Sequence, residues 1–348
     1  MLSKKRLLPL AVAVALVGVV AAILGGTAPA AQKATTAKVG LVSDVGRFND
    51  RSFNQSALDG LQRSKRILKV QTRAVESRAA SDYIANLASL SRGGYSPTIG
   101  VGFLLADAVN TVARQFPNGR FAIIDYSVKA SPFTDASKGV TTPRNVRGLT
   151  FNTNENSYMI GCLAALMARR AGGNTISAVG GLNIPTVSIF IAAYRAGAQR
   201  CVRGTQVLIA FSQDFVAQDK CKEIALNQIA AGSRVVFQVA GGCGLGALDA
   251  AREKGRWGIG VDKDQSNLGA HILTSAVKRV DTSVFLTARA AKNGTFRGGV
   301  DAVFNLKNNG VAIGKISPRV PKAFIKTMNA LRPLIISGKI KPPKTLSQ

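Results

Sequence analysis

From residue 39 onward, short apolar runs alternate with longer segments of helical period, and this alternation most limits what the chain can fold into. The first pair sets the pattern. Residues 39–42 suit a buried strand, 43–50 form a polar loop around Gly46, and Ser52 or Asp50 can cap a helix whose apolar positions are Phe53, Ala57, Leu58 and Leu61. Strands are expected at 68–72, 98–103, 121–125 and 146–151, with helices at 80–91 and 105–115 between them. The pattern then repeats, with helices at 157–170, 187–199, 217–230 and 245–253 and strands at 175–179, 206–211, 234–239 and 257–261. A strand near 271–274, a helix over 276–292, an apolar run at 311–313 and a helix near 323–338 complete the chain. Strands spaced by helices of about 10–15 residues predict α/β lobes built on parallel sheets covered on both faces. Two such runs, divided near Thr150, predict two lobes with a cleft between them, and a length of 348 residues suits that division.

Residues 1–31 read as a secretory leader: Lys4-Lys5-Arg6, then an almost wholly apolar run over 7–24, then small residues at Ala28-Pro29-Ala30. An uncleaved membrane anchor is the rival reading, because the apolar run approaches spanning length. No cysteine lies near this end, so an N-terminal cysteine lipoprotein is not expected. The mature part is expected outside the cytoplasmic membrane, at its outer face, in a periplasm or in the wall. Four cysteines, Cys162, Cys201, Cys221 and Cys243, permit two disulfides, and Cys162–Cys201 with Cys221–Cys243 is the favoured pairing. Without a C-x-x-C among them, a zinc site is not indicated.

The formal charge is +28, and the leader removes only three of those charges, leaving +25. Such a balance favours contact with anionic membrane or wall surfaces. The cations are scattered, and aromatics make up only 6% of the chain, so a specific nucleic-acid partner is not expected.

Several predicted strands end in a carboxylate: Asp44, Asp125 and Asp262. In a parallel sheet those ends converge on one rim, where open α/β folds bind ligands. A carboxylate there can accept hydrogen bonds from ring N–H groups or sugar hydroxyls without reacting, although capping or ion pairing explains any one of them equally well. Gly241 and Gly242 open a glycine-rich turn between a strand and a helix. Gly242, Gly244 and Ala247, with Asp262 further on, formally match a dinucleotide fingerprint. The turn sits deep in an exported chain, so close backbone approach to an uncharged ligand is the preferred reading, and no cofactor is expected. His271 is the single histidine and reads as a satisfied core residue. No H-E-x-x-H or G-x-S-x-G occurs, so catalysis and a catalytic metal are not indicated. Lys278, expected near a helix start, could reach a ligand oxygen or sit on the surface.

These residues resemble the basic membrane protein family of ABC-transporter substrate-binding proteins, the purine nucleoside receptor group. The resemblance is carried by Asp50-Arg51-Ser52-Phe53-Asn54-Gln55 with Gly60, by 121–125, by Ile184-Pro185 with Phe190 and 196–198, by 237–242 with Gly244, by 260–265, and by Thr274-Ser275 with Lys278. It implies a type I periplasmic-binding-protein fold that closes on a nucleoside and delivers it, as a monomer, to the permease and ATPase subunits of an importer. Phe53 and Phe190 would hold the base between rings, Asp44 and Asp125 would address the base, and Asp262 and Lys278 the ribose. Asn49, Asn54, Gly241 and Gly242 complete the implied ligand set. A receptor for a sugar or other small hydroxylated ligand, or a signalling receptor on the same fold, is the alternative. Residues 38–150 with about 263–304 are expected in one lobe, 151–262 with about 305–338 in the other, and 339–348 as a loose basic tail. The chain departs from the family pattern in three ways: it lacks the lipidation cysteine, it carries Ser43 and Arg47 around the first carboxylate, and it has four cysteines.

Overall fold

The short apolar runs are buried on both faces: Leu41, Val42, Ile99, Ala122, Ile123 and Ile124 expose no surface. Only helices packed on each side of a sheet can cover strands of that kind. The computed structural model describes residues 37–346, so the leader reading lies outside the described residues. The chain opens with β1 (Lys38–Val42), α1 (Phe53–Leu68), β2 (Gln71–Val75), α2 (Asp82–Arg92), β3 (Thr98–Gly100), α3 (Ala106–Gln115), β4 (Phe121–Ile124) and β5 (Val146–Phe151). It continues with α4 (Thr153–Arg170), β6 (Thr175–Gly180), α5 (Pro185–Cys201), β7 (Gln206–Phe211), α6 (Gln218–Ala230), β8 (Val235–Val239), α7 (Gly244–Glu253), β9 (Trp257–Asp262) and β10 (Ile272–Lys278). The last elements are α8 (Val280–Lys292), β11 (Asp301–Phe304), β12 (Val311–Ile313) and α9 (Lys322–Ile336).

Two six-stranded sheets result, ordered β2-β1-β3-β4-β5-β11 and β7-β6-β8-β9-β10-β12. Every pairing is parallel except that of β12 with β10. The strand order reverses between β1 and β3 and again between β6 and β8, which opens a crevice at the carboxyl edge of each sheet. One apolar cluster runs through both lobes by way of α1, α4 and α5, while separate clusters sit under α2 and α3 and under α6 and α7.

The chain passes between the sheets after Phe151, after Lys278 and after Phe304. The second passage differs from expectation. Residues 272–278 were assigned to the first lobe and partly to a helix, but they form β10, held between β9 and β12. Ala276, Val280 and Val284 do follow a helical period, yet pairing on both edges outweighs it, and the helix begins only at Val280. The strand expected at 68–72 is displaced to Gln71–Val75 because Lys69, at φ 56°, ends α1 in the left-handed conformation. The tail is not loose over its described part: Asn154 Nδ2 donates to Pro342 O at 2.8 Å, and Ile340 and Leu346 pack against the main cluster.

The cysteines pair as Cys162–Cys201, joining α4 to α5, and Cys221–Cys243, joining α6 to the start of α7. Helices α4 and α5 cross with backbones in contact. A Cβ on Gly161 would lie 2.0 Å from Tyr194 O, and one on Gly197 would lie 1.9 Å from Tyr158 O. Neither backbone can move aside without parting the two helices. Gly161→Ala is therefore expected to cost about 1–3 kcal/mol, read as a lower urea midpoint with an unchanged denaturant slope.

Candidate ligand-binding site

Asp44 follows β1 and is held from two sides: its Oδ1 accepts from Gly46 N and from Asn54 Nδ2, each at 2.8 Å. Asn54 comes from the first turn of α1, so the loop and the helix fix one another. Asp50 caps that turn, accepting from the backbone N–H groups of Ser52, Asn54 and Gln55 at 2.8–2.9 Å. It fills the capping role for which Ser52 was the other candidate. Ser52 instead donates across to the second lobe, its Oγ bonding Asp262 Oδ2 at 2.7 Å.

Asp125 and Asp262 stand at the ends of β4 and β9 with φ of 66° and 63°. Lys278, at the end of β10, is 3% exposed and forms an ion pair with Asp125, so the second sheet contributes the cation and the first the anion. Its Nζ also lies 4.6 Å from the ring centre of Phe53, 5.2 Å from Phe151 and 5.7 Å from Phe190. Phe53 stands on α1 and Phe190 on α5, so rings from both lobes face the same ammonium. Gly102 shows how tight the wall is. At φ 110°, its missing Cβ would sit 3.0 Å from Asp44 Oδ2 and 3.3 Å from the Phe53 ring.

These groups line a cleft of about 600 Å³, mouth included. Asp44, Phe53, Asn54, Asp125, Phe190, Gly241, Asp262 and Lys278 all border it. Gly242 does not; it packs behind the turn, close to Asp50 and Phe215. Asn49 is exposed and faces a separate outer hollow with Arg51, Gln218 and His271, because the loop turns at Arg47 (φ 56°) and sends alternate side chains outward. His271 is half-buried at that hollow with its Nε2 unpartnered, rather than a satisfied core residue. Lys278 ends a strand rather than starting a helix, and this is what turns it into the cleft. Asp50, Phe103 and Phe215 were missed. Asp50 looked like a cap and is one; Phe103 opens a short 3-10 turn past β3, not the end of the strand expected at 98–103, and Phe215 lies in the loop before α6, where neither period nor strand-end polarity marks it.

The lining holds four carboxylates, Asp44, Asp50, Asp125 and Asp262, and a single cation, Lys278. Burial raises Asp44 to about 6 against the pull of its bonds from Asn54 and Gly46, and raises Asp262 to about 6 against Lys278 and Ser52. Burial also pushes Asp50 and Asp125 upward. Among the described residues no group of His, Cys, Asp and Glu is arranged to hold a metal ion, and no helix is long and apolar enough to cross a membrane.

A family model described as ABC transporter substrate-binding protein PnrA-like matches residues 37–345. The chain belongs to this family. An ABC transporter nucleoside-binding protein, BmpA, from Lactococcus lactis is 34% identical to it over 89% of this chain and 90% of its own. A CD4+ T-cell-stimulating antigen from Listeria monocytogenes is 30% identical over 88% of each. Among solved structures, a solute-binding protein of an ABC transporter system from Aeropyrum pernix superposes with a TM-score of 0.79 at 24% identity, covering 88% of this chain and 94% of its own. The fold is that of a type I periplasmic-binding protein, as the family and the superposed solute-binding protein both have it.

Asp44 and Asp262 are weaker acids in the folded protein, so it binds protons at these groups more tightly than the unfolded chain does. The stability contributed by each is fully present below the ordinary 3.8 and is lost as pH rises through about 6. The ligand-free protein should therefore gain stability at these groups between about pH 7 and pH 4. Asp44→Asn should flatten that gain by about 3 kcal/mol, checked by urea unfolding across the range.

Proposed function

We propose that the protein captures a nucleoside outside the cytoplasmic membrane and hands it to the permease and ATPase subunits of an ABC importer, acting as a monomer and without chemistry of its own. One observation carries this reading: rings from both lobes and four carboxylates converge on one cleft with a single, already paired, lysine. The rings offer faces to a planar base. The carboxylates are acceptors for ring N–H and ribose hydroxyl donors, and the nucleoside-binding relative at 34% identity supports the same ligand class. Asp44 and Asp125 would meet the base, and Asp262 and Lys278 the ribose, while Gly241 allows close backbone approach. Phe103 and Phe215 extend the apolar wall.

The charge balance also sets what the cleft rejects. A phosphate would enter beside four acids whose only cation is engaged by Asp125, and the desolvation cost would go unpaired. Nucleosides should therefore raise the melting temperature and give calorimetric binding, while the corresponding 5′-monophosphates bind at least about 100-fold more weakly. Phe53→Ala should weaken nucleoside binding by about 5- to 150-fold, which is the 1–3 kcal/mol typical of one base–aromatic contact. Stabilisation by free pentoses or hexoses, with none by nucleosides, would overturn the proposal and favour the sugar receptor.

A further inference from the structure

From residue 302 to its end the chain has nine lysines and arginines and no aspartate or glutamate. The longer acid-free stretch at 156–213 holds only five cations, and the shorter one at 60–75 also five, so the C-terminal part carries the largest uncompensated charge of any acid-free stretch. The fold gathers these residues along α9 and its two flanks. Lys322 and Lys326 stand one turn apart on the exposed side of the helix. Lys339, Lys341 and Lys344 follow in the segment that Asn154 ties to α4 through Pro342 O. Arg332 Nη2 donates to Leu306 O at 3.0 Å and to Asn309 Oδ1 at 3.2 Å, which seats the turn carrying Lys307 beside the end of α9. At the far end Arg319 lies 4.2 Å over the ring of Trp257 and donates to Ala270 O.

Two acids border this ridge and neither neutralises it. Glu155 accepts from Asn152 Nδ2 and Leu306 N, and Asp264 from the backbone of Ser266 and Lys315. Among the described residues no ion pair involves a cation of the ridge. Between the lysines Ala330 and Pro333 are exposed and Ile336 is 39% exposed, beside the uncharged Thr327, Asn329 and Ser337. No residue of α9 or the tail lines the substrate cleft.

We propose that this ridge docks the protein on an anionic lipid bilayer. Lysines at both ends would meet phospholipid headgroups while Ile336 and its neighbours reach the interfacial layer. Cations flanking exposed apolar side chains suit a bilayer surface, whereas a soluble polyanion would make no use of the exposed isoleucine. The inference stands apart from the identity of the ligand, because it uses no residue of the cleft.

The test is flotation of the chain from residue 36, where its compact unit begins, with vesicles of phosphatidylglycerol and phosphatidylcholine or of phosphatidylcholine alone. Binding is expected only to the anionic vesicles, falling steeply with salt. Gln replacing Lys322, Lys326, Lys339, Lys341 and Lys344 together should lower partitioning at least about 100-fold, since each lysine near such a surface is worth about fivefold. The same change at Lys65, Arg66, Arg73, Arg78 and Arg92, exposed cations of the first lobe, should lower it by less than about tenfold. Pairwise variants at Lys322 with Lys326, and at Lys339 with Lys341, keep the comparison if the fivefold variant misfolds. Equal losses from the two sets would overturn the proposal, as would binding to polyglycerol phosphate but not to vesicles.

Discussion

A buried ammonium holds the two lobes to one site. Lys278 projects from the second sheet and meets Asp125 from the first, ringed by Phe53, Phe151 and Phe190. A charge in so dry a place is tolerated only when paired, and breaking such a pair by removing one partner is far costlier than its net worth. Here the pair also orders its surroundings. Asp262 is eased downward by the same cation, and the aromatic faces gain an electrostatic partner that fixes where they stand. Without the lysine the lining would hold four acids and no cation.

The carboxylates reach the cleft through a backbone device. Asp125 and Asp262 both adopt left-handed φ at the point where a strand stops, and Gly241 does the same just beyond β8. Aspartate accepts this conformation more readily than most side chains, and the turn it makes swings the carboxylate from the sheet edge into the space between the lobes. Strain of this kind gathers where a site must be pre-organised. These groups are therefore placed, and their desolvation met, during folding.

The molecule separates its charges. Eighteen acids face forty-six cations, and four of those acids are withdrawn into the cleft, so the exterior is more basic than composition alone suggests. A cleft lined by four acids therefore sits inside a basic surface. The two properties do not conflict, because buried charges interact at short range in a low dielectric while exterior ones are screened within about 8 Å at physiological salt.

The alternation of apolar runs and helical segments was enough to establish two parallel α/β lobes, since strands buried on both faces admit few other arrangements. The strand-end rule likewise found Asp44, Asp125 and Asp262, because parallel topology sends such residues to one rim. It failed where long-range pairing decides. Residues 276–278 obey a helical period, yet β9 and β12 claim them as a strand, and only that turns Lys278 inward. Asn49 and Asp50 are neighbours of like polarity, and a loop reversal at Arg47 sends one outward and the other to cap α1. Phe103 and Phe215 carry no local signature, because their role comes from the segment opposite them. What the sequence by itself determined was the set of elements and the chemistry available at their ends, both consequences of local periodicity. Which groups meet was decided by the tertiary structure, because an ion pair such as Lys278–Asp125 joins residues 153 positions apart and exists only once two sheets have formed and packed.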